Sequence, residues 1–571
     1  MRDSHKLLSG LNKEQIEAVT YDKGPLLVLA GAGSGKTKVL THRVAYFISE
    51  GKINPEQALL LTFTNKAAGE MKERIAKLIE TPTAPFAGTF HSFCAKVLRV
   101  DGKHIGIPPG FLIYDQADQK EAVKQILENL NISKDSANPA AILNDISDAK
   151  NQMFSPTQYG EVARGDYGEL VFKVYVAYEK FLKENEALDF DDLLNRAVTL
   201  FKEVPQVLRK WQERLTHIFV DEWQDTNKVQ YSLTKLLVGN RKNITAVGDA
   251  SQSIYSWRGA DFRNINYLVR DFPNIKIINL EQNYRSTQVI LDAANFVISK
   301  NKSHPILKLW TEKKGGAKIK LYAARNGFDE AEFIINQINE LAGKPAKFSD
   351  FAILYRTNAQ SRVFEESLLH AGIPYVLVGG VRFYDRKEIK DVLAYLRLLV
   401  SPKDSVSRKR IEKIGKRKLE KFEEMKGELT NLDKFTTLDL LDAVLQKTDY
   451  LSLYQKESEE NLARLENIKE LRSVATEFPN INEFLENVAL VEAEESSADK
   501  SLVVKRDSRP DAVTLMTLHA AKGLEFPVVF IVGMEEGLFP HSRSLMDTGQ
   551  LEEERRLAYV GITRAKDSLS F

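Results

Sequence analysis

The sequence has almost no cysteine. Cys94 is the only one in 571 residues, which excludes an intrachain disulfide and a cysteine-built metal site. It has no long apolar run. Nothing approaches the roughly 20 consecutive apolar residues of a membrane span, and the opening MRDSHKLLSG lacks the apolar stretch of a secretory signal. With a lone thiol and no leader or anchor, we expect a cytoplasmic protein that touches no membrane. Net charge is missing too: 80 Lys and Arg stand against 79 Asp and Glu, leaving +1. A uniformly basic coat for nucleic acid is therefore excluded, and such a partner would need a local basic groove.

What the chain does have is length and a recurring pattern. At roughly 150 residues per domain, 571 residues suggest about four domains. Short apolar runs lead repeatedly into polar or glycine-rich clusters: LLVLA (26–30), ALLLTF (58–63), HIFVDE (217–222), ITAVGD (244–249), then KIKLYAA (318–324), FAILYR (351–356), AVTLMTLH (512–519) and PVVFIVG (527–533). Such runs suit parallel strands buried on both faces. With helical patterns between them they predict α/β architecture, with ligands at the carboxyl ends of the strands. Residues 96–200 and about 390–508 break the pattern as mostly helical stretches, and 492–511 has linker composition.

The strongest chemical signal is AGAGSGKT, Ala30, Gly31, Ala32, Gly33, Ser34, Gly35, Lys36 and Thr37. It follows an apolar strand and opens a helix, the context a phosphate-binding loop requires. Glycines let backbone N–H groups close around phosphates, and the helix N-terminus adds positive potential. Lys36 would neutralise the β- and γ-phosphates of ATP, and Thr37 would offer its hydroxyl to Mg²⁺. FVDEWQDT (219–226) supplies a second half. Asp221 would hold the Mg²⁺ ion, and Glu222 would orient and deprotonate an attacking water.

Those two motifs, with LNKEQIEAV (11–19), GDASQSIYSWRGA (248–260), QNYRST (282–287), TLHAAKGLEF (517–526) and YVGITRAK (559–566) in that order, resemble the UvrD/Rep/PcrA branch of superfamily 1 helicases nearly end to end. The resemblance implies two RecA-like P-loop parallel-sheet cores, each with a mostly helical inserted subdomain. The first core would be 1–95 and 201–278, with 96–200 inserted. The second would be 279–390 and 509–571, with a shortened insertion at 391–508. It assigns Gln15 to the adenine edge, Gln252 to the neighbourhood of the γ-phosphate, Tyr284 to stacking on adenine, Arg285 to the γ-phosphate, Glu525 to the ribose, and Arg564 to the arginine-finger role. It also implies hydrolysis of ATP with Mg²⁺, coupled to 3′→5′ movement on single-stranded DNA, action at single-strand/duplex junctions in repair or replication, and a monomer or weak dimer.

For the DNA track the resemblance singles out LTFTNKAAGEM (61–71) and GTFHSF (88–93). Phe63 would face a base, with Thr62, Thr64, Asn65, Thr89 and His91 along the strand. Tyr255, Trp257 and Arg258 lie beside Gln252, and Arg356, Asn358 and Arg362 would hold phosphates from the second core. Aromatic stacking, worth about 1–3 kcal/mol per base, tolerates any sequence, as a stepping motor requires. Core packing is the competing reading for Phe63; Trp257, between Ser256 and Arg258 in a polar loop, fits it less well. The segment 407–421 carries eight basic and two acidic residues, where family members have an element that touches duplex backbone; a solvated basic helix is the plainer alternative. Trp223 stands where the family usually has Phe or Tyr. Two other functions fit parts of this pattern: a translocase that strips proteins but unwinds poorly, and a non-catalytic DNA-binding scaffold.

Overall fold

The computed structural model describes residues 4–79, 84–132, 137–342, 346–402, 404–429, 432–455, 458–485, 487–488 and 511–571. The chain divides into two compact units, Met1–Lys314 and Gly315–Phe571.

The first unit is built on the apolar runs. β1 (Leu26–Ala30), β2 (Ala58–Thr62), β3 (Phe86–Thr89), β6 (His217–Val220), β7 (Ile244–Gly248) and β8 (Lys276–Leu280) form a six-stranded sheet in the order β3-β2-β6-β7-β1-β8. Every pairing is parallel. All five residues of β2 and of β7 are buried, as strands covered by helices on both faces must be. The 96–200 stretch lies between β3 and β6. It is helical apart from a two-residue parallel pair, β4 (Leu112–Ile113) with β5 (Ala187–Leu188). Lys150 is the polar centre of this region, with Glu179, Asp189 and Asp192 at 2.7–2.9 Å.

Residues 279–314 pack as part of the first compact unit. β8 pairs with β1, and Asn283 beyond it donates through Nδ2 to the Ala32 carbonyl at 2.7 Å. The Asn283 amide N–H donates to Trp310 O at 2.7 Å, and Leu309 packs so closely that a Cβ on Gly31 would lie 2.2 Å from its Cδ2. The segment is bound to the phosphate loop itself.

The second unit has its own parallel sheet, β10-β11-β9-β12-β13, from β9 (Phe351–Tyr355), β10 (Tyr375–Val378), β11 (Val513–Thr517), β12 (Phe526–Ile531) and β13 (Ala565–Ser570). KIKLYAA, expected as a strand, runs beside β13 but forms only an isolated bridge, Lys320 to Ser570. Backbone bonds Lys320 N–H to Leu569 O and Tyr322 N–H to Phe571 O hold it there. Between β10 and β11 run helices Lys387–Val400, Ser405–Ile414, Lys416–Glu428, Thr437–Lys447 and Glu459–Glu477, around an apolar cluster that includes Tyr395, Phe422, Leu440 and Leu471. Of the 492–511 linker, all but Asp511 lies outside the described residues.

Candidate active site and strand-facing surface

The phosphate loop is shaped by its own sequence. β1 ends at Ala30, the chain turns through Gly33 (φ +67°) and Gly35 (φ +88°), and the helix Lys36–Ser49 begins. A side chain at Gly33 would be strained by that φ and would meet Asn283 Nδ2 at 2.5 Å and Arg285 Cβ at 3.0 Å. Arg285 thus stands against the loop. Asn283 fixes it there, its Oδ1 accepting from the amides of Arg285 (2.8 Å) and Ser286 (2.7 Å), while the Tyr284 amide donates to Gly33 O at 3.0 Å.

Lys36 is the unusual group. Its ammonium is buried and makes no hydrogen bond among the described residues. The nearest partner, Glu222 Oε2, is 3.7 Å away. A buried ammonium without a hydrogen bond is costly, and phosphate oxygens are the chemistry that would satisfy it, at a helix N-terminus already disposed to anions.

β6 delivers the carboxylates. Asp221 is buried, and Thr37 Oγ1 lies 3.5 Å from its Oδ2. Burial, then the neighbouring Glu222 charge, push the Asp221 carboxyl up to about 7, with Lys36 pulling the other way. A hydroxyl and a carboxylate are hard oxygen donors, and Mg²⁺ is commonly held by one or two protein oxygens together with substrate phosphates. The pair fits that ion, and no group of three or more His, Cys, Asp or Glu suited to a metal occurs among the described residues. Glu222 adopts a left-handed backbone (φ +50°, ψ +47°), a strained state for a residue with a Cβ. Trp223 is fully buried with its indole N–H donating to Asn264 O at 3.1 Å. That bond accounts for an indole at this position.

Gln252 is buried and donates through Nε2 to Asp249 Oδ2 at 2.6 Å. Gln15 is buried beneath the loop, its Nε2 donating to Ser34 O at 2.9 Å and its Oε1 accepting from Asn12 N–H at 3.1 Å. It braces the loop, with one N–H and one lone pair left for a base edge. Tyr284 is exposed, and its hydroxyl shares Gln282 Oε1 with Asn12 Nδ2, each at 3.0 Å.

The aromatic residues expected on the DNA track come together. Phe63 and Tyr255 stack nearly parallel, 5.7 Å between centroids and 5° between planes, and Trp257 packs edge-on to Tyr255 at 6.3 Å. Trp257 is 44% exposed. Thr62 and Thr89 are register partners at the ends of β2 and β3. Thr64 and Thr89 each cap the helix that follows, accepting from Ala67 N–H (3.1 Å) and Ser92 N–H (3.2 Å). Thr64 with Asn65, and Thr89 with His91, therefore stand at helix N-termini that suit phosphate. His91 packs edge-on to Phe190 at 5.8 Å. Phe190, 48% exposed, lies on the first turn of helix Phe190–Glu203, just after the cap residue Asp189. The side chain of Arg258 lies outside the described residues.

The second-unit residues are placed differently. Arg356 pairs with Glu554 through Nε (3.0 Å) and Nη2 (2.8 Å). Asn358 begins a short turn, half-buried. Arg362 does not present its charge at the surface, as the DNA-track expectation requires. It is buried with Glu366 (2.9 Å), Glu470 (2.8 Å) and Glu477 (3.6 Å). Burial lowers its pKa, but these carboxylates outweigh that and hold it well above the usual value. This is the surrounding of a structural ion pair. Glu525 pairs with Lys566 at 2.9 Å. Arg564 is buried, donating to Val560 O (2.9 Å), Leu524 O (3.2 Å) and Thr563 Oγ1 (3.1 Å).

A strand, a glycine loop and a helix on a parallel sheet, with an Asp-Glu pair ending β6, define a P-loop nucleotide-hydrolase core. The family is narrower. Residues 11–273 match the UvrD/REP helicase N-terminal domain, and residues 278–442 and 419–571 match the UvrD-like helicase C-terminal domain. The chain belongs to the UvrD/Rep helicase family. It is 46% identical over 617 aligned residues to the ATP-dependent DNA helicase PcrA of Bacillus subtilis (strain 168), covering 99% of this chain and 83% of that protein. It is 44% identical over 609 residues to the ATP-dependent DNA helicase PcrA of Staphylococcus aureus (strain MRSA252), with the same coverage of each chain.

Proposed function

We propose that this chain is an ATP-dependent DNA helicase that moves 3′→5′ on single-stranded DNA and opens duplex at the junction, in repair or replication and in the cytoplasm. The observation that carries the reading is the buried Lys36 ammonium without a hydrogen bond at the mouth of the glycine loop. In this reading Lys36 and Arg285 bind the phosphates. Thr37 and Asp221 hold Mg²⁺, which neutralises charge developing on phosphate oxygens. Glu222 takes the proton of the attacking water. Arg564 is the arginine finger, a role that requires it to exchange the carbonyls of Val560 and Leu524 for a phosphate oxygen. Phe63, Tyr255 and Trp257 form the stacking surface, which is indifferent to sequence and so suited to stepping. The exposed Lys409, Lys413, Lys416 and Arg417, on two helices meeting at Gly415, are assigned to duplex backbone.

The test is unwinding of matched duplexes with a 3′ or a 5′ single-stranded tail, with ATP hydrolysis measured in parallel. The expected outcome is DNA-stimulated hydrolysis and opening of the 3′-tailed duplex alone. Stimulated hydrolysis with displacement of bound protein but little unwinding would favour the translocase reading. Absence of hydrolysis would sink both.

A further inference from the structure

One buried side chain in the first unit touches both the water-activating carboxylate and the loop that carries the aromatic residues. Gln224 is fully buried, two residues after Glu222. Its Nε2 donates to Glu222 Oε2 at 2.5 Å, and its Oε1 accepts from the Asp249 amide at 2.9 Å. Its backbone carbonyl accepts from Ser253 Oγ at 3.3 Å. Asp249 in turn accepts from the Ser251 amide (3.0 Å) and from Gln252 Nε2 (2.6 Å). Ser253 is two residues from Tyr255, which stacks on Phe63. Hydrogen bonds therefore run without a gap from Glu222 through Gln224 to Asp249, Gln252 and Ser253, at the root of the strand-facing loop.

The packing leaves Gln224 little choice of position. A Cβ on Gly248 would lie 2.7 Å from Gln224 Oε1 and 3.2 Å from Trp223 Cβ, so only glycine at the end of β7 lets the amide sit there. The amide is closed in on the β7 side and tied on the loop side. A displacement of the 249–257 loop must pull on it. The Glu222 oxygen it holds is the one facing Lys36 at 3.7 Å, so Gln224 and Lys36 together keep that oxygen occupied.

We propose that Gln224 is a positioning residue that restrains Glu222 until a base engages Tyr255 and Trp257, and so makes hydrolysis depend on DNA. The proposal rests on the helicase reading above. With a base stacked on the aromatic pair, the loop shifts, the Gln224 amide turns, and the Glu222 oxygen is released to accept a proton from water. Removing the amide removes the restraint. The DNA-free rate then rises, while the DNA-saturated rate changes little.

The test compares wild type, Gln224→Met and Ser253→Ala. ATP hydrolysis is measured with and without a saturating oligothymidylate, alongside melting temperature and oligonucleotide affinity. Met keeps the volume and loses both amide bonds. We expect the stimulation ratio of Gln224→Met to fall by about tenfold, almost wholly through a faster DNA-free rate, with oligonucleotide affinity unchanged. Ser253→Ala, which removes the hydroxyl bonded to the Gln224 backbone carbonyl, should shift the ratio the same way by about twofold to threefold. Wild-type stimulation in Gln224→Met would overturn the proposal while leaving the helicase reading intact. So would a parallel loss of both rates, with a wild-type ratio in Ser253→Ala. A wild-type protein whose hydrolysis ignores oligothymidylate would overturn the helicase reading and this proposal with it.

Discussion

Two buried cations, one in each unit, show how differently the same fold treats charge. Lys36 sits at the glycine loop with its ammonium buried and no hydrogen bond. Arg362, in the second unit, is buried more deeply but has three carboxylates around it. A buried charge is tolerable when paired and hydrogen-bonded. Arg362 meets that condition within the protein and so holds helix Ser361–His370 against helix Glu459–Glu477. Lys36 does not, and its deficit is the affinity available to an anionic ligand. A motif can name both residues as phosphate binders; only their surroundings separate a site from a brace.

The sharpest way to break this comparison is to remove each cation. Lys36→Ala should lower DNA-stimulated ATP hydrolysis by about 10³-fold or more, as expected when a preorganised charge on the transferring phosphoryl group is lost. Its melting temperature should stay close to wild type, because no hydrogen bond is broken. Wild-type turnover in this variant would refute the site. Arg362→Met should do the reverse. It strands Glu366, Glu470 and Glu477 and should destabilise the second unit by about 3–5 kcal/mol, read as a lower urea midpoint for that unit's transition. A variant as stable as wild type, with weaker affinity for single-stranded DNA, would return Arg362 to the DNA track.

The same contrast governs what could be read from the sequence. The phosphate loop was legible because its parts are contiguous: an apolar strand, glycines where φ must be positive, then Lys-Thr opening a helix. The Asp221–Glu222 pair was legible for the same reason. The alliance of QNYRST with the first unit was not. It depends on Asn283 reaching the Ala32 carbonyl across 251 residues of sequence, and β8, with alternating exposed and buried residues, lacks the unbroken apolar run that marked its neighbours. The ion pairs of Arg362 were not legible because LYRTNAQSR shows a cation but not Glu470, 108 residues on. KIKLYAA reads as a strand on composition, yet its backbone pairs with β13 through a single bridge, and Tyr322 instead stacks on Phe333 and bonds Asp329.

A smaller effect should separate the two aromatic neighbourhoods within the first unit. Trp257 packs edge-on against the Phe63–Tyr255 stack and is open to solvent. Phe190 is equally exposed and packs edge-on against His91. If both receive bases, Trp257→Ala should weaken oligothymidylate binding by about 1–3 kcal/mol and Phe190→Ala by the lower end of that range. ATP affinity should be unchanged in both, because neither touches the glycine loop. The two losses should add, since residues without shared partners rarely couple. Fluorescence titration of a labelled oligonucleotide against both single variants and the double variant measures all three terms. A loss for Trp257→Ala with none for Phe190→Ala would confine the stacking surface to the Phe63, Tyr255 and Trp257 series and leave Phe190 as exposed packing on His91.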